Sequence, residues 1–384
     1  MSKKFLTIIN TSEGHGAFSR HKRMCQALIN EGHSVICIAP LGYKAEDINI
    51  ISLRLNRLPN FGFIGLYLKI LVTVIRNKAI FEKIDGIFTI REYDALCTIL
   101  NPFFFGIPKV FLSRGDVISI TKVNRSSYKT IYEKFKVFLL LRIYPIIQKF
   151  VLKYSQTVVI QAKFLLKLFK DRCGFEFNAI ILTNDCPPHS PNRNLSIKEK
   201  KLDLISNEIN LGFISPMYWE CKGMRTIVQT IHELEKQLIK YKFHIIGDGP
   251  DLKRMKDEIG ENNNVIWHGW LDDVSSILSY IDVVIIPSLY DSNPNLVLEM
   301  LMHDKLILAS DIDAHKEMLI HNEFFFKTDD CKDLYNKILS LSTDLTYSKK
   351  LLSLIKERRS SLSFDWDSEF VKIMSDTTIN RENI

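Results

Sequence analysis

Two carboxylates in the segment P-S-L-Y-D-S-N-P-N-L-V-L-E-M (287–300) have a spacing suited to binding a sugar. Asp291 comes shortly after the apolar run 283–287, and Glu299 stands eight residues further along the chain. The run predicts a buried strand and the later stretch a helix, so Asp291 falls in the connecting loop and Glu299 on the helix. Ionised carboxylates accept hydrogen bonds, and neighbouring hydroxyls of a ribose or hexose ring donate them. The pair therefore predicts a sugar site at this strand–helix junction.

The start of the same helix predicts an anion site. Ser292 or Asn293 can cap the helix, and Pro294 suits its first turn, where the missing N–H costs nothing. Unpaired backbone N–H groups and the positive end of the helix dipole then favour a phosphate. A diphosphate at the helix end, with a sugar on each side, would use both carboxylates.

These residues are positioned by strands that alternate with helices in both halves of the sequence. The alternation predicts an α/β fold with two doubly wound, Rossmann-like domains that face one another across a cleft. Ligands of such sheets bind beyond the carboxyl ends of the strands, where the loop carrying Asp291 is expected. A Pro- and Asn-containing stretch followed by lysines predicts a linker. We expect a first domain over 1–190, a linker over 191–204 and a second domain over 205–364, with a C-terminal helix at about 365–384 able to pack back on the first domain.

The composition is typical of a protein of the cytosol. Hydrophobic residues make up 46% and charged residues 25% of the 384-residue chain, as in soluble proteins with a well-formed core. The seven cysteines are scattered and form no C-x-x-C pair, so we expect neither a disulfide framework nor a zinc site, and a reducing compartment. The apolar run at the N-terminus is too short for a signal peptide, and no stretch approaches the ~18 uncharged apolar residues of a membrane span.

Charge is divided unevenly along the chain. Residues 1–190 contain 27 basic and 13 acidic side chains, a net charge of +14, whereas the remainder contains 24 basic and 31 acidic side chains, a net charge of −7. A basic half predicts contact with an anionic surface or polymer. Residues 121–170, where 124–153 are expected to be helical, hold eleven Lys or Arg and one acid, Glu133, among aromatic side chains. Nucleic-acid binding, a membrane-surface helix, or a core helix with a solvated basic face would each give this pattern.

The second half resembles the group 1 family of retaining glycosyltransferases, which have the GT-B fold and an E-x7-E motif. Y-D-S-N-P-N-L-V-L-E-M matches that motif in order, with Asp291 replacing the first glutamate and Asn293 replacing the usual aromatic residue. Further matches follow in family order: L-G-F-I-S-P-M-Y-W-E-C-K-G (211–223), F-H-I-I-G-D-G-P (243–250), V-I-W-H-G-W (265–270), I-D-V-V-I-I-P-S (281–288) and Glu317. The first half resembles the family more loosely, in its Gly14/Gly16 loop and in S-R-G-D at 113–116.

The resemblance implies roles for individual residues. Glu299 would hold the ribose of a nucleotide sugar and Asp291 its hexose, while Lys222 would neutralise the leaving phosphate. At the helix start, the sugar and the diphosphate would be bound by the backbone N–H groups of Asn293, Asn295 and Leu296. The family's frequent partner arginine is absent, because Phe213 follows Gly212, and Arg225 or Arg114 are the possible replacements.

The first half contributes further candidates. Gly14 and Gly16 would let the backbone approach the donor diphosphate, although an ordinary strand–helix turn explains the same two glycines. Arg114 is expected to touch the acceptor or the sugar, with a local ion pair to Asp116 as the alternative. The D-x-D in S-D-I-D (310–313) is similar to the metal–diphosphate motif of the other large glycosyltransferase fold. It follows the Glu299 helix, so we interpret it as incidental and expect no metal and no cofactor.

By this resemblance the protein is expected to be a retaining, metal-independent hexosyltransferase. The expected partners are a UDP- or GDP-sugar donor, a lipid-linked glycan acceptor of a bacterial surface polysaccharide, and an anionic membrane surface met by the basic first half. We favour the membrane over nucleic acid because the family often uses lipid-linked acceptors, and we expect a peripheral protein at the cytosolic face of the plasma membrane. A nucleotide-sugar epimerase of the same fold and a non-enzymatic nucleic-acid-binding protein are the alternatives.

Overall fold

Strands and helices alternate to build two parallel β-sheets. The computed structural model describes residues 2–10, 16–40, 43, 48–52, 62–186, 208–237 and 239–379, so the expected linker over 191–204 lies outside the described residues. The chain divides into two compact units. The first comprises residues 1–116, 138–183 and 365–384, and the second comprises residues 117–137 and 184–364.

The first sheet has seven strands, which are β1 (Lys4–Ile8), β2 (Ser34–Ala39), β3 (Asn49–Ser52), β4 (Gly86–Thr89), β5 (Lys109–Ser113), β6 (Thr157–Ile160) and β7 (Ala179–Ile181). The helices up to residue 173 are α1 (Gly16–Asn30), α2 (Gly62–Arg76), α3 (Glu92–Leu100), α4 (Val117–Val123), α5 (Ile131–Tyr154) and α6 (Lys163–Cys173). Short 3-10 helices cover Lys78–Phe81, Pro102–Phe104 and Asn124–Ser127.

The second sheet has six strands, which are β8 (Glu208–Ile214), β9 (Lys240–Ile246), β10 (Val265–Gly269), β11 (Val283–Ile286), β12 (Leu306–Ser310) and β13 (Phe325–Phe326). The helices of this part are α7 (Met224–Glu235), α8 (Leu252–Ile259), α9 (Ser275–Leu278), α10 (Asn295–Met302), α11 (Asp313–Leu319), α12 (Cys331–Thr343) and α13 (Leu345–Ser361), with a 3-10 helix at Asn322–Phe324. The chain closes with α14 (Trp366–Ile379).

The strand order fixes where each sheet can bind a ligand. The order is β3-β2-β1-β4-β5-β6-β7 in the first sheet and β10-β9-β8-β11-β12-β13 in the second, and the described strand pairs are parallel. The order reverses between β1 and β4 and between β8 and β11, so each sheet is doubly wound with a switch point at those neighbours. The central strands β4 and β11 are buried along their whole length, which explains the continuous apolar sequence of β11.

The C-terminal helix packs within the first unit. The Arg23 guanidinium on α1 pairs with the Asp367 carboxylate on α14 at 2.6 Å. The hydroxyls of Thr157 on β6 and Thr377 on α14 are 2.9 Å apart. These polar contacts join one end of α14 to α1 and the other end to β6.

The expectation of one helix over 124–153 is wrong at its beginning. Asn124–Ser127 form a 3-10 helix, and α5 begins only at Ile131. The Thr130 hydroxyl accepts from the Glu133 backbone N–H at 3.1 Å, and the Glu133 carboxylate accepts from the Thr130 backbone N–H at 2.9 Å. This reciprocal capping box starts the helix, and its T-x-x-E sequence marks the correct boundary.

Candidate functional site

The loops that follow β8 and β11 meet at the carboxyl edge of the second sheet, at its switch point. The Leu289 N–H, after β11, donates to the Cys221 carbonyl, after β8, at 2.9 Å. Gly223 has a φ of +62°, and a Cβ there would lie 1.9 Å from the Pro287 carbonyl oxygen. A side chain at this position is therefore excluded, and the close approach holds the preceding Lys222 beside the end of β11.

Lys222 and Asp291 form an ion pair at this junction. The Lys222 Nζ lies 2.9 Å from Asp291 Oδ2, and Asp291 Oδ1 accepts the Ser292 backbone N–H at 2.7 Å. Burial alone would raise the pKa of Asp291, but the charge and hydrogen bond of Lys222 hold that pKa below its ordinary value. Asp291 in turn raises the pKa of Lys222, although burial opposes this. Both groups are therefore charged at neutral pH, and the side chains keep 24% and 19% exposure, respectively.

A buried histidine that the sequence analysis missed lies close to this pair. His315 Nδ1 is 2.8 Å from the Ser310 carbonyl oxygen and 3.1 Å from the Ser310 hydroxyl, whose own hydrogen is donated to the Ser288 carbonyl. Nδ1 must therefore carry the proton, which leaves Nε2 as an acceptor without a partner among the described residues. Burial lowers the pKa of His315 to about 4, with Asp291 acting against this effect and Lys222 adding to it.

Glu299 offers an uncommitted carboxylate on α10. It is half-buried, and within the described part of the chain no hydrogen bond or ion pair engages its carboxylate oxygens. Burial raises the pKa of Glu299, and the nearby charge of Asp273 adds to the rise. A partly desolvated carboxylate of this kind gains most from donors that a ligand brings, such as the paired hydroxyls of a sugar.

The start of α10 differs from the expected cap. Pro294 is the N-cap residue, the helix begins at Asn295, and no side chain caps it, so the expectation that Ser292 or Asn293 would do so is wrong. The Ser292 hydroxyl instead lies 3.1 Å from the Tyr290 hydroxyl. The first N–H groups of the helix are therefore left without a side-chain cap, as an anion site requires.

The other residues predicted around this helix start lie on its first turn or just before it. Asn293 and Leu296 are half-buried, and Asn295 is exposed. The side-chain oxygen of Asn295 accepts from the Asn184 amide at 2.6 Å. This hydrogen bond therefore attaches the start of α10, where the expected phosphate-binding N–H groups lie, to the chain that follows β7.

Of the candidate site residues in the first unit, the structure describes Gly16 and Arg114 but not Gly14. Gly14 lies outside the described residues, and Gly16 is the first residue of α1. Arg114 directly follows β5. The local ion pair considered for Arg114 and Asp116 does not form, because both Asp116 oxygens accept from the Arg172 guanidinium at 2.6 Å.

Two further sequence expectations concern charge and metal ligands. Arg225, considered as a replacement for the missing phosphate-binding arginine, is exposed on α7. Asp311 of the D-x-D accepts hydrogen bonds from the backbone N–H and the hydroxyl of Thr328 at 2.9 and 2.6 Å. Across the residues that the structure describes, no group of three or more His, Cys, Asp or Glu side chains is placed to hold a metal ion.

Comparison with known proteins relates this site to a family. Residues 208–344 match the sequence model of the family described as Glycosyl transferases group 1. A crystal structure of a glycosyltransferase from Rickettsia africae is similar over 98% of both chains, with 16% identity and a TM-score of 0.69. HepE from Anabaena, solved with UDP and glucose, is similar over 98% of this chain and 100% of its own, with 14% identity and a TM-score of 0.70.

A third similar structure is WaaG, a glycosyltransferase involved in lipopolysaccharide biosynthesis. The similarity covers 97% of this chain and 99% of that one, at 13% identity and a TM-score of 0.70. No curated protein matches the sequence. Since these identities are low, the three structures establish the shared fold, and the sequence match to the family model covers residues 208–344 only.

Proposed function

We propose, from the premise that this chain is a glycosyltransferase of the group 1 type with the GT-B fold, that it moves a hexose from a UDP- or GDP-sugar to a lipid-linked glycan with retention of configuration. The observation that carries the proposal is the Lys222–Asp291 ion pair at the switch point of the second sheet, followed along the chain by an uncommitted Glu299 on α10. In this proposal the second domain (205–364) binds the donor, and the first domain (1–190) binds the acceptor.

In the proposed donor site, the carboxylates bind sugar hydroxyls and the positively charged groups bind the diphosphate. The Glu299 carboxylate accepts from the ribose hydroxyls, and Asp291 accepts from hydroxyls of the hexose. The uncapped N-terminus of α10 and the Lys222 ammonium bind the diphosphate. An ammonium has three N–H donors, so Lys222 can keep its hydrogen bond to Asp291 and still donate to a phosphate oxygen.

The proposed chemistry is a front-side displacement without a metal. The bond between the anomeric carbon and the diphosphate oxygen breaks, and the acceptor oxygen bonds to the same face of that carbon, which retains the configuration. The hydroxyl proton of the acceptor passes to the departing diphosphate. Lys222 and the α10 N-terminus stabilise the charge on the leaving group as it develops, and the loss of one such contact typically costs ~10²–10³ in turnover.

The acceptor side of the proposal is supported by an exposed apolar stripe on α5. Residues at three- and four-residue spacing point to solvent on this helix, and we call them the α5 stripe: Ile131, Tyr132, Phe135, Phe138, Leu139, Ile143 and Ile146. Basic side chains lie over two of its rings, with Lys136 Nζ 4.4 Å from the Tyr132 ring centroid and Arg142 Cζ 5.4 Å from that of Phe138.

Apolar rings beside basic groups suit the headgroup region of an anionic bilayer. None of the helices described in this structure is long and apolar enough to cross a membrane. We therefore propose peripheral attachment of the α5 stripe to an anionic membrane surface, with the lipid-linked acceptor presented there. The solved relatives add support, since HepE was solved with UDP and glucose and WaaG takes part in lipopolysaccharide biosynthesis.

A binding screen tests the donor site directly. The purified protein is screened for thermal stabilisation by UDP- and GDP-sugars beside Glu299→Ala, with Glu261→Ala as an exposed control in the same unit. A rise in melting temperature with one nucleotide sugar, lost in Glu299→Ala and kept in Glu261→Ala, is the expected result. Stabilisation that survives in Glu299→Ala would contradict the proposed site, and conversion of the donor without acceptor would indicate an epimerase.

A further inference from the structure

Arginines follow three neighbouring strands at the carboxyl edge of the first sheet. β1, β4 and β5 are adjacent in this sheet. Arg20 lies on α1, which follows β1; Arg91 follows β4; and Arg114 directly follows β5. Since ligands bind at this edge of a doubly wound sheet, the three cationic groups lie where a substrate is expected.

Two of the acids described near this edge interact with other groups. Both carboxylate oxygens of Asp116 accept hydrogen bonds from the Arg172 guanidinium. Arg91 donates to the Asn10 carbonyl at 2.5 Å, and its charge offsets that of the buried Asp94. No hydrogen bond or ion pair joins Arg114 to any of the described residues, so its charge has no acidic partner there.

A second guanidinium lies near Arg114. Arg20 is held over the Trp366 ring, with its Cζ 4.7 Å from the ring centroid, and Trp366 in turn stacks on Phe370. Burial lowers the pKa of Arg114 to about 10, and the charge of Arg20 adds to this effect. Arg114 is half-buried and has no acidic partner among the described residues, so an anion bound at this edge would offset its charge.

We propose that Arg114 and Arg20 bind a phosphate or carboxylate group of the acceptor, so that the natural acceptor is an anionic glycan. This rests on the proposed function, in which the first domain binds the acceptor. A guanidinium fork matches the two oxygens of either anion, and the packing of Arg20 on Trp366 reduces the entropy lost on binding. A neutral glycan would leave the charge of Arg114 without a partner.

The first test uses small probes on the whole protein. Inorganic phosphate and D-glucuronate are titrated by NMR, with D-glucose as the neutral analogue, against the wild type, Arg114→Gln and the exposed control Arg76→Gln. We expect millimolar binding of at least one anion and none of glucose, with a loss of about tenfold in Arg114→Gln and less than about twofold in Arg76→Gln. Phosphate binding alone would indicate a phosphorylated acceptor, and glucuronate binding alone an acidic sugar. Equal binding by the wild type and Arg114→Gln would overturn the proposal.

The second test separates the acceptor from the donor. Arg114→Gln is expected to raise the KM for an anionic acceptor about tenfold and leave the KM for the nucleotide sugar unchanged, and Arg114→Lys, which keeps the charge without the fork, should fall between. A matching loss of nucleotide-sugar affinity would assign Arg114 to the donor and overturn the proposal. If no nucleotide sugar binds the wild type while phosphate still binds through Arg114, the proposed function fails and the anion site remains.

Discussion

The Lys222 ammonium lies 2.9 Å from the Asp291 carboxylate. Lys222 lies in the loop after β8 and Asp291 in the loop after β11, so the two residues are far apart in sequence. Each group keeps the other charged against the effect of burial. In the proposed reaction one partner binds the sugar and the other the departing diphosphate. Under this proposal the pair couples the position of the donor sugar to the position of its leaving group.

Substitution of either partner is expected to damage the same function. Lys222→Gln and Asp291→Asn should each reduce the rate of transfer by ~10²–10³, and the double variant should be little worse than the weaker single variant. Steady-state kinetics of the four proteins measure this coupling. Lys253→Gln is the matched control, because Lys253 pairs with Asp257 on an exposed helix surface. Single effects that multiply in the double variant would show that the two groups act independently.

The ionisation of Glu299 predicts a pH dependence of donor binding. Its pKa is raised by burial and by Asp273. In the proposed function the ionised form accepts the ribose hydroxyls. Donor affinity is therefore expected to fall as the pH drops through this raised pKa, and to be about tenfold weaker in Glu299→Gln at pH 7.

A substitution at Asp273 tests the cause of that shift. Asp273→Asn keeps an amide oxygen for the Ser275 N–H, which the carboxylate now accepts at 2.9 Å, but removes the charge. The loss of donor affinity should then begin at a lower pH than in the wild type. Asp272→Asn, in the same loop, is the control. Calorimetric titration between pH 4.5 and 7 measures both profiles, and an unchanged profile in Asp273→Asn would remove Asp273 as the cause.

Local sequence patterns predicted much of the fold and part of the site. Alternating strands and helices gave the two doubly wound sheets, and the end of the apolar run at 283–287 placed Asp291 in a loop at the ligand-binding edge. The contact of Lys222 with Asp291 depends on β8 and β11 being neighbours and on the packing of Gly223 under Pro287. Neither condition can be predicted from the spacing of residues within a short segment.

Two of the failed expectations concern side chains that form their hydrogen bonds with a partner other than the expected one. Asp116 pairs with Arg172 instead of Arg114, and the Ser292 hydroxyl turns to Tyr290 instead of capping α10. His315 was missed because a single histidine has no periodic pattern, although its position shortly after the D-x-D places it in the first turn of α11, the helix that follows β12.

The tautomer of His315 leads to a spectroscopic prediction. The ring should be neutral at pH 6 with its proton on Nδ1, because the Ser310 oxygens accept there. Lys222→Gln removes a positive charge and should raise the pKa of His315, whereas Asp291→Asn should lower it. Nitrogen-15 NMR of the imidazole measures both. A proton on Nε2, or shifts of the opposite sign, would contradict the geometry.

Asp94 predicts a pH dependence of stability that is separate from the donor site. Its Oδ2 is buried without a partner among the described residues, and burial raises its pKa to about 7. The folded protein then binds this proton more tightly than the unfolded chain does. The stability gained is full below the ordinary pKa of about 4 and is lost as the pH rises through about 7.

Replacement of Asp94 should remove this dependence. Asp94→Asn is expected to raise the free energy of unfolding by about 2 kcal/mol at pH 8 and to change it little at pH 4. Urea denaturation at the two pH values measures the difference. Asp171→Asn, on the exposed surface of α6, should have no effect at either value. An equal gain for Asp94→Asn at both pH values would show that packing, and not ionisation, is responsible.

The α5 stripe predicts binding to anionic vesicles. Phe135, Phe138 and Ile146 are 61%, 56% and 68% exposed, so a combined change of all three to Ser should leave folding intact while it lowers binding several-fold. The control is Tyr280→Ser with Ile320→Ser, two exposed apolar residues away from α5. Flotation with phosphatidylglycerol vesicles measures the partition.

The basic groups on the same helix separate the electrostatic part of membrane binding from the apolar part. Each Lys or Arg near an anionic surface contributes ~1 kcal/mol, so Lys136→Gln and Arg142→Gln should each lower binding to anionic vesicles about fivefold at low salt. The effect should vanish with phosphatidylcholine vesicles and shrink as salt screens the surface. Binding that is indifferent to lipid charge, or that nucleic acid displaces and the Ser variants retain, would show that the basic residues of α5 serve a polyanion instead of a membrane.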